Sequence, residues 1–351
     1  MAARTARIRT IPRNEAQWRT PMSELRWNPV LGEWTITATD RQERTFLPPR
    51  DLCPLCPQPS GTPGEIRRDD FEIAVFENRF PSLRRDPPGP AVQGTPLTPV
   101  APAAGACEVV VYTPRHDDRL AAASPLHIER LIAVWAHRTT VLGARDEVRY
   151  VYVFENRGEV IGVTLHHPHG QIYGYPFIPP LVDRELAAGR DHRSTVGSCL
   201  WCDLLAQEVA DGRRVVAATP GWTAVVPFFA RWPYEVHLLP ARHLGWLHEL
   251  TQAEVAGLAR LFKAVLLKYD GLFGFELPYI LAVHQRPTDG GEHDAYHLHL
   301  EFYPPHRTAT KLKYLAGSEA GAGAFINDTL PEESAARLRA MHPTDPGELA
   351  R

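Results

Sequence analysis

The sequence predicts an α+β fold made by internal duplication, and three observations predict it. The segments "CEVVVYTPRH", ending at His116, and "YEVHLLPARH", ending at His243, share an apolar strand pattern followed by Pro, Arg and His. Each then enters an amphipathic helix, whose starts at Ser124 and Thr251 stand at the same offset as the two histidines. Each half also opens on a C-x-x-C and closes on a His-x-His. A shared offset through strand and helix marks a duplicated unit rather than chance similarity.

The elements follow in order. The first helix starts at "SPLHIE", with Ser124 as N-cap and Pro125 at the first helical position. Its apolar residues Ile128, Leu131, Ile132, Trp135 and Leu142 recur three or four apart, the spacing of one helix face. The second helix starts at "TQAE", where Thr251 and Glu254 form a capping box. It continues through Val255, Leu258, Ala259, Phe262, Val265 and Leu266 at the same spacing. Strands follow each helix, "VRYVYVFENR" and "PYILAVHQR", and then "HPHGQIYGY" and "HLHLEFY". Two copies of an antiparallel sheet carrying a helix account for this order.

With 351 residues the chain can form two domains, placed here at 22–180 and 181–341. A formal charge of -3 argues against nucleic acid or an anionic membrane as partner. No apolar run reaches the length of a membrane span. Residues 1–21 are Arg-rich but lack the apolar core of a signal peptide, so a flexible arm and a cytoplasmic protein are expected. Met22 is an alternative start to Met1. Residues 84–106 are Pro-rich and read as a surface loop, and 342–351 as a tail.

Two C-x-x-C pairs in a cytoplasmic chain point to zinc ligands before disulfides. In the first half Cys53 and Cys56 join His116 and His167, two thiolates and two imidazoles that suit a structural, tetrahedral zinc. The second half offers the repeat-related set Cys199, Cys202, His243 and His297. A rival set, Glu185, His284, His297 and His299, shares His297 and would suit iron or zinc.

His167 and His169 are two apart, so a strand turns both to one face. If His167 holds the metal, His169 is fixed one pleat further on and free to act as a nucleophile toward phosphorus. Gln171 lies on the same face; its amide can donate a hydrogen bond to a phosphoryl oxygen but cannot act as an acid. That suits a leaving group that is already a phosphate and needs no proton. Asn156, Gly162 and Thr164 in "FENRGEVIGVT" stand near the expected phosphates. The Gly- and Ala-rich "KLKYLAGSEAGAGAFIND", with Lys313 and Glu319, is a second candidate for a phosphate and sugar site.

These residues resemble those of the galactose-1-phosphate uridylyltransferases, within the histidine-triad superfamily. The motifs that carry the resemblance are "CPLC", "FENRFPSL", "FENRG", "HPHGQIY", "WPYEVHLLP", "LHLEFYPP" and "KLKYLAGSE". It implies two tandem histidine-triad-like domains, a homodimer, and a ping-pong exchange of UMP between UDP-glucose and galactose-1-phosphate. His169 would carry the uridylyl group, Gln171 would hold the α-phosphoryl, and Thr164 occupies a position that is usually Ser. Arg41, Arg44, Asn78 and Asn156 would contact phosphate or nucleotide, and Lys313, Tyr314, Ala316 and Glu319 would line the hexose site. The family's second metal site corresponds to Glu185, His284, His297 and His299. Three departures stand out: Arg79 where Asp is common, Ser318 where a Tyr often reaches the hexose, and Phe325 in place of a Gln. The second C-x-x-C is similar to that of relatives that act as ADP-glucose phosphorylases, which leaves that activity as an alternative. A zinc-stapled nucleotide-binding module without turnover is a third reading.

Overall fold

Antiparallel strands from both halves join into one sheet, and the pairing of two of them makes the duplication a single body. The computed structural model describes residues 23–43, 47–58, 65–66 and 71–342. The first half contributes β1 (Ser23–Asn28), β2 (Glu33–Ala38), β3 (Ala74–Glu77), β4 (Val100–Pro102), β5 (Ala106–Val111), α1 (Pro125–Gly143), β6 (Tyr150–Arg157) and β7 (His169–Tyr175). The second contributes α2 (Pro180–Val196), α3 (Leu200–Asp211), β8 (Val215–Thr219), β9 (Trp222–Val225), β10 (Val236–Pro240) and α4 (Gln252–Phe273). It ends with β11 (Tyr279–His284), β12 (His299–Tyr303), α5 (Gly317–Ala322) and α6 (Pro331–Ala340).

The main sheet runs β3-β5-β7-β6-β11-β12-β10-β9-β8. The expected two copies are present, and they fuse where β6 pairs with β11, so β5-β7-β6 and β11-β12-β10 run outward from one seam in matching order. The sheets of the two copies are thus continuous, as one sheet of nine strands. Burying the seam edges of both copies removes two open strand edges at once.

Both repeat helices cover one face. The Ser124 side chain accepts from the His127 amide, and Thr251 and Glu254 make the expected reciprocal cap. Ile128, Leu131, Ile132 and Trp135 of α1 and Leu258, Phe262, Val265 and Leu266 of α4 are buried in one core with Val151, Val153, Ile172, Leu281 and Phe302 from the sheet. Trp135 meets Phe262 edge-on at 6.1 Å between centroids. The side chains of β7 alternate: Ile172 enters this core, which turns His169, Gln171 and Tyr173 to the opposite face.

That opposite face is covered in three places, one of them where Cys53, Leu55 and Ile66 pack on Val109 and Val111 of β5. A small sheet of order β2-β1-β4 lies over Cys107 and Tyr173 with Leu25, Leu83 and Ala103. Helices α2 and α3 lie over the second half through Val182, Leu186, Trp201 and Leu205. Between these covers, among the described residues, the first half's face holds a cavity. The Pro-rich 84–106 segment is a surface loop in most of its length, but Val100–Pro102 leaves it to form β4 beside β1. The arm at 1–21, Met22 and nearly all of the tail lie outside the described residues.

Candidate active site and metal centres

Strand β7 begins at His169, and the turn before it sets the site. His167 Nε2–H donates to the Thr113 carbonyl at 2.7 Å, which turns Nδ1 toward the Cys56 sulfur at 3.5 Å. The His116 Nδ1 lies 3.3 Å from the same sulfur. With Cys53 the four donor atoms gather within 4.8 Å of one another. Burial lowers both imidazoles below the ordinary histidine range, so both are neutral and present lone pairs. Burial and the neighbouring Cys53 sulfur push the Cys56 thiol up to about 11. A divalent cation is the charge that such a pair of sulfurs calls for, and two thiolates with two imidazoles fit a tetrahedral metal.

The second half repeats this centre. Cys199 caps α3 and Cys202 lies in its first turn. His297 Nδ1 lies 3.6 Å from the Cys199 sulfur and 3.4 Å from that of Cys202, and His243 Nδ1 completes the group at 3.9 Å from Cys202. Burial, reinforced by His243, lowers His297 to about 3.

The rival set of the sequence analysis proves to be a separate cluster with one member exchanged. His297 belongs to the Cys group, and Glu301 joins Glu185, His284 and His299. His284 Nδ1 lies 3.0 Å from Glu185 and its Nε2 3.6 Å from Glu301; His299 Nε2 lies 3.4 Å from Glu301. The two sets therefore coexist and do not compete. The signal for Glu301 was present in "HLHLE": β12 begins at His299, so the residue two further on shares its face. His297 precedes the strand and is free to turn elsewhere. Burial opposes charge on His284, but Glu185 and Glu301 outweigh it and raise the imidazole to about 9.

His169 itself is held by one hydrogen bond. Its Nδ1–H donates to the His167 carbonyl at 2.7 Å. That bond fixes the tautomer and leaves Nε2 as the lone-pair nitrogen. Burial lowers its pKa, which keeps the ring neutral. It opens on a cavity of about 230 Å³ lined also by Arg41, Asn78, Asn156, Gly162, Thr164 and Gln171. Six of the sequence-selected residues thus share one wall system with His169 in a single cavity. Gly162 stands at φ 84°, the left-handed region where glycine is unstrained, and closes the turn that carries Thr164 into the wall.

The cavity also has walls that sequence reasoning did not single out: Phe76, Phe154, Val109, Leu165 and Tyr173. Phe154 and Tyr173 meet edge-on at 5.0 Å. Tyr173 was legible as the next same-face position after Gln171; Phe76 and Val109 come from strands with no chemical motif. None of Lys313, Tyr314, Ala316 and Glu319 lines this cavity, and Lys313 and Ala316 gather on Glu319. Lys313 Nζ pairs with Glu319 at 2.8 Å, the Ala316 amide donates to Glu319 at 3.2 Å, and the Tyr314 ring is 71% exposed. Arg44 lies outside the described residues.

The comparisons agree with this geometry. The sequence matches the galactose-1-phosphate uridyl transferase N-terminal domain over residues 14–179 and the C-terminal domain of the same family over 185–346. It is 40% identical over 321 residues to a galactose-1-phosphate uridylyltransferase of Thermotoga maritima, covering 91% of this chain and 98% of that one. Among solved structures it is similar to a uridylyltransferase, with a TM-score of 0.80, 37% identity, and 90% and 97% of the two chains covered. It is also similar to an ADP-glucose phosphorylase from Arabidopsis thaliana, with a TM-score of 0.70, 25% identity, and 92% and 99% covered. Both halves of the duplication, the cavity and its histidine lie within these matches, and the chain belongs to the galactose-1-phosphate uridylyltransferase family.

Proposed function

We propose that the protein exchanges a uridylyl group between UDP-glucose and galactose-1-phosphate through a covalent intermediate on His169. The observation that carries this reading is the His169 ring: Nδ1–H tied to a backbone carbonyl, Nε2 bare, and an amide rather than an acid two residues on. The Nε2 lone pair attacks the α-phosphorus of UDP-glucose, the bond from that phosphorus to the bridging oxygen breaks, and glucose-1-phosphate leaves with the electron pair. A phosphate oxygen of galactose-1-phosphate then attacks the same phosphorus, the N–P bond breaks, and His169 is regenerated. No proton has to be supplied to either leaving group, which fits Gln171. Arg41, with Asn78 and Asn156, supplies charge and hydrogen bonds for the phosphates and nucleotide, and Thr164 a hydroxyl.

Zinc is the ion that the donor sets of Cys53, Cys56, His116 and His167, and of Cys199, Cys202, His243 and His297, fit best. When bound it would cross-link the loops that lead into β7 and β12, and its part is structural. The Glu185, His284, His299 and Glu301 cluster suits iron or zinc. Lys313, Tyr314, Ala316 and Glu319 are assigned to hexose recognition in a homodimer, where a second copy can bring them to the cavity. No helix among the described residues is long and apolar enough to cross a membrane, and a cytoplasmic location is in keeping with the reduced Cys pairs.

The test is retention of label. Incubation with UDP-glucose labelled in the uridylyl group leaves label on the protein after gel filtration, stable to alkali and released by acid. His169→Ala abolishes both labelling and exchange and leaves zinc content unchanged. Labelling from ADP-glucose in place of UDP-glucose would instead make the protein an adenylyl-transferring relative, and no label from either would sink the covalent mechanism.

A further inference from the structure

The Gln171 side chain receives hydrogen bonds on one side only. Asn78 Oδ1 is occupied by the Phe80 backbone N–H at 2.9 Å, so its Nδ2 is the group that faces Gln171, at 3.4 Å from Oε1. Arg41 Nη1 donates to the Tyr173 hydroxyl at 3.1 Å. A guanidinium has donors only, so the phenol spends a lone pair on it and keeps its own proton for Gln171 Oε1, 3.2 Å away. Two donors therefore converge on one atom of the amide. Reversing that amide would set its NH2 group against both of them.

The second half holds the same device, with the acceptor and the Tyr at matching positions and an Arg from a different part of the repeat. Arg231 Nη2 donates to the Tyr303 hydroxyl at 3.2 Å, and that hydroxyl donates to Glu301. "HPHGQIY" and "HLHLEFY" place His, acceptor and Tyr in one spacing. The Arg–Tyr pair is thus common to both copies, and the acceptor it orients is what differs.

On the transferase reading above, we propose that Tyr173, with support from the substrate-binding Asn78, is a positioning residue that locks the Gln171 amide with Nε2 turned to the transferring phosphoryl group. An unlocked amide presents its oxygen to the phosphoryl oxygens in part of its population and repels them; a locked one presents donors throughout and needs no reorganisation as charge develops. Tyr173 needs no contact with substrate for this role.

The experiment is a double-mutant cycle on the full chain, with pre-steady-state formation of the labelled protein from UDP-glucose as readout. Tyr173→Phe keeps the ring and its contact with Phe154. It lowers the labelling rate about three- to tenfold, the scale of one hydrogen bond, and leaves UDP-glucose affinity little changed. In a Gln171→Ala background the same substitution has almost no effect, because its partner is gone. Equal losses in both backgrounds, or no loss in the first, overturn the proposal. A second readout does not depend on turnover. In protein labelled with 15N-glutamine, the Gln171 side-chain amide pair, identified by its absence in Gln171→Ala, shifts in Tyr173→Phe. An unmoved pair overturns the positioning role whatever the substrate. A shifted pair in a protein that UDP-glucose fails to label would overturn the substrate and leave the positioning intact.

Discussion

Glu155 sits under the active strand, and its replacement by Gln gives a test with a computable size. The carboxyl is buried on the helix side of the sheet, where the Tyr279 hydroxyl donates to it at 3.1 Å and that of Tyr112 at 3.3 Å. Burial raises its pKa from 4.5 to about 7, against the pull of Arg157 and the two phenols. The folded state therefore binds this proton more tightly than the unfolded state. The contribution is fully present below the unfolded value and is lost as pH rises through the folded one. A difference of that size is about 3 kcal/mol by the end of the titration. Glu155→Gln keeps the shape and removes the titration; one phenol goes on donating to the amide oxygen, and the other turns to accept from the NH2 group. The free-energy difference between variant and native protein, from urea unfolding at fixed metal content, is expected to move by about 3 kcal/mol in favour of the variant between pH 5 and pH 8. Taking the difference cancels every other titrating group common to both proteins. A protonated-carboxyl infrared band present at pH 6, absent at pH 8 and absent throughout in the variant is the matching spectroscopic result. A difference that stays constant with pH would refute the reasoning, since it would mean that Glu155 is ionised in the fold at all these values.

The remaining predictions concern the strand above it and the metal centres. At Gly170 an added Cβ would collide with the Tyr112 hydroxyl and lie 3.0 Å from the Phe154 carbonyl; Gly170→Ala is expected to cost about 1–3 kcal/mol of stability and, by shifting β7, to lower the labelling rate more than it weakens UDP-glucose binding. Cys56→Ser is expected to remove one equivalent of bound zinc and lower the unfolding temperature, read by metal analysis and thermal scanning, whereas Cys107→Ala, at a site whose sulfur meets Ser82 and the Leu83 amide and belongs to neither Cys/His group, leaves metal content unchanged. His299→Ala is expected to deplete a metal held by the acidic cluster while the zinc of the Cys199 group is kept; loss of both together would contradict the separation of the two sets.

The repeat made most of the fold legible. Helix caps at Ser124 and Thr251 and the buried stripes of α1 and α4 follow from local rules, because capping and 3.6-residue spacing act over a few residues. The fusion of the two sheets at β6 and β11 was not legible: two strands of similar pattern can pair within a copy or across the seam, and only tertiary packing decides. Helices α2 and α3 were missed for another reason. Their sequences mix charge with scattered apolar residues, and their burial comes from Trp201, Leu205 and Val182 meeting a sheet face already formed. In the site, His169 and Gln171 were readable because a strand fixes alternation. Phe76 and Val109 were not, since they come from β3 and β5 and enter the cavity only through sheet order.

The same alternation explains why the two copies are not interchangeable. His169 and His299 each donate Nδ1–H to the carbonyl two residues back, at 2.7 and 2.8 Å. Each is followed on the same face by an acceptor bound by an Arg-supported Tyr. At the first copy the acceptor is the neutral amide of Gln171. At the second it is Glu301, whose ionised form is opposed by burial but favoured more strongly by His237, His284 and His299. Two like charges about 4 Å apart repel by about 4 kcal/mol at a protein-like dielectric, so a phosphoryl group is disfavoured beside His299 and a cation is favoured. On the proposed function, the exchange of an amide for a carboxylate at this position favours phosphoryl chemistry in the first copy and a cation in the second, alongside the cover that α2 and α3 place over the second copy. The reciprocal swap tests the division. Gln171→Glu is expected to lower the rate of labelling by UDP-glucose by about a thousandfold, the factor equivalent to that repulsion, without loss of zinc from the Cys53 group. A Gln171→Glu protein that labels within tenfold of the native rate would show that charge at this position does not separate the two copies.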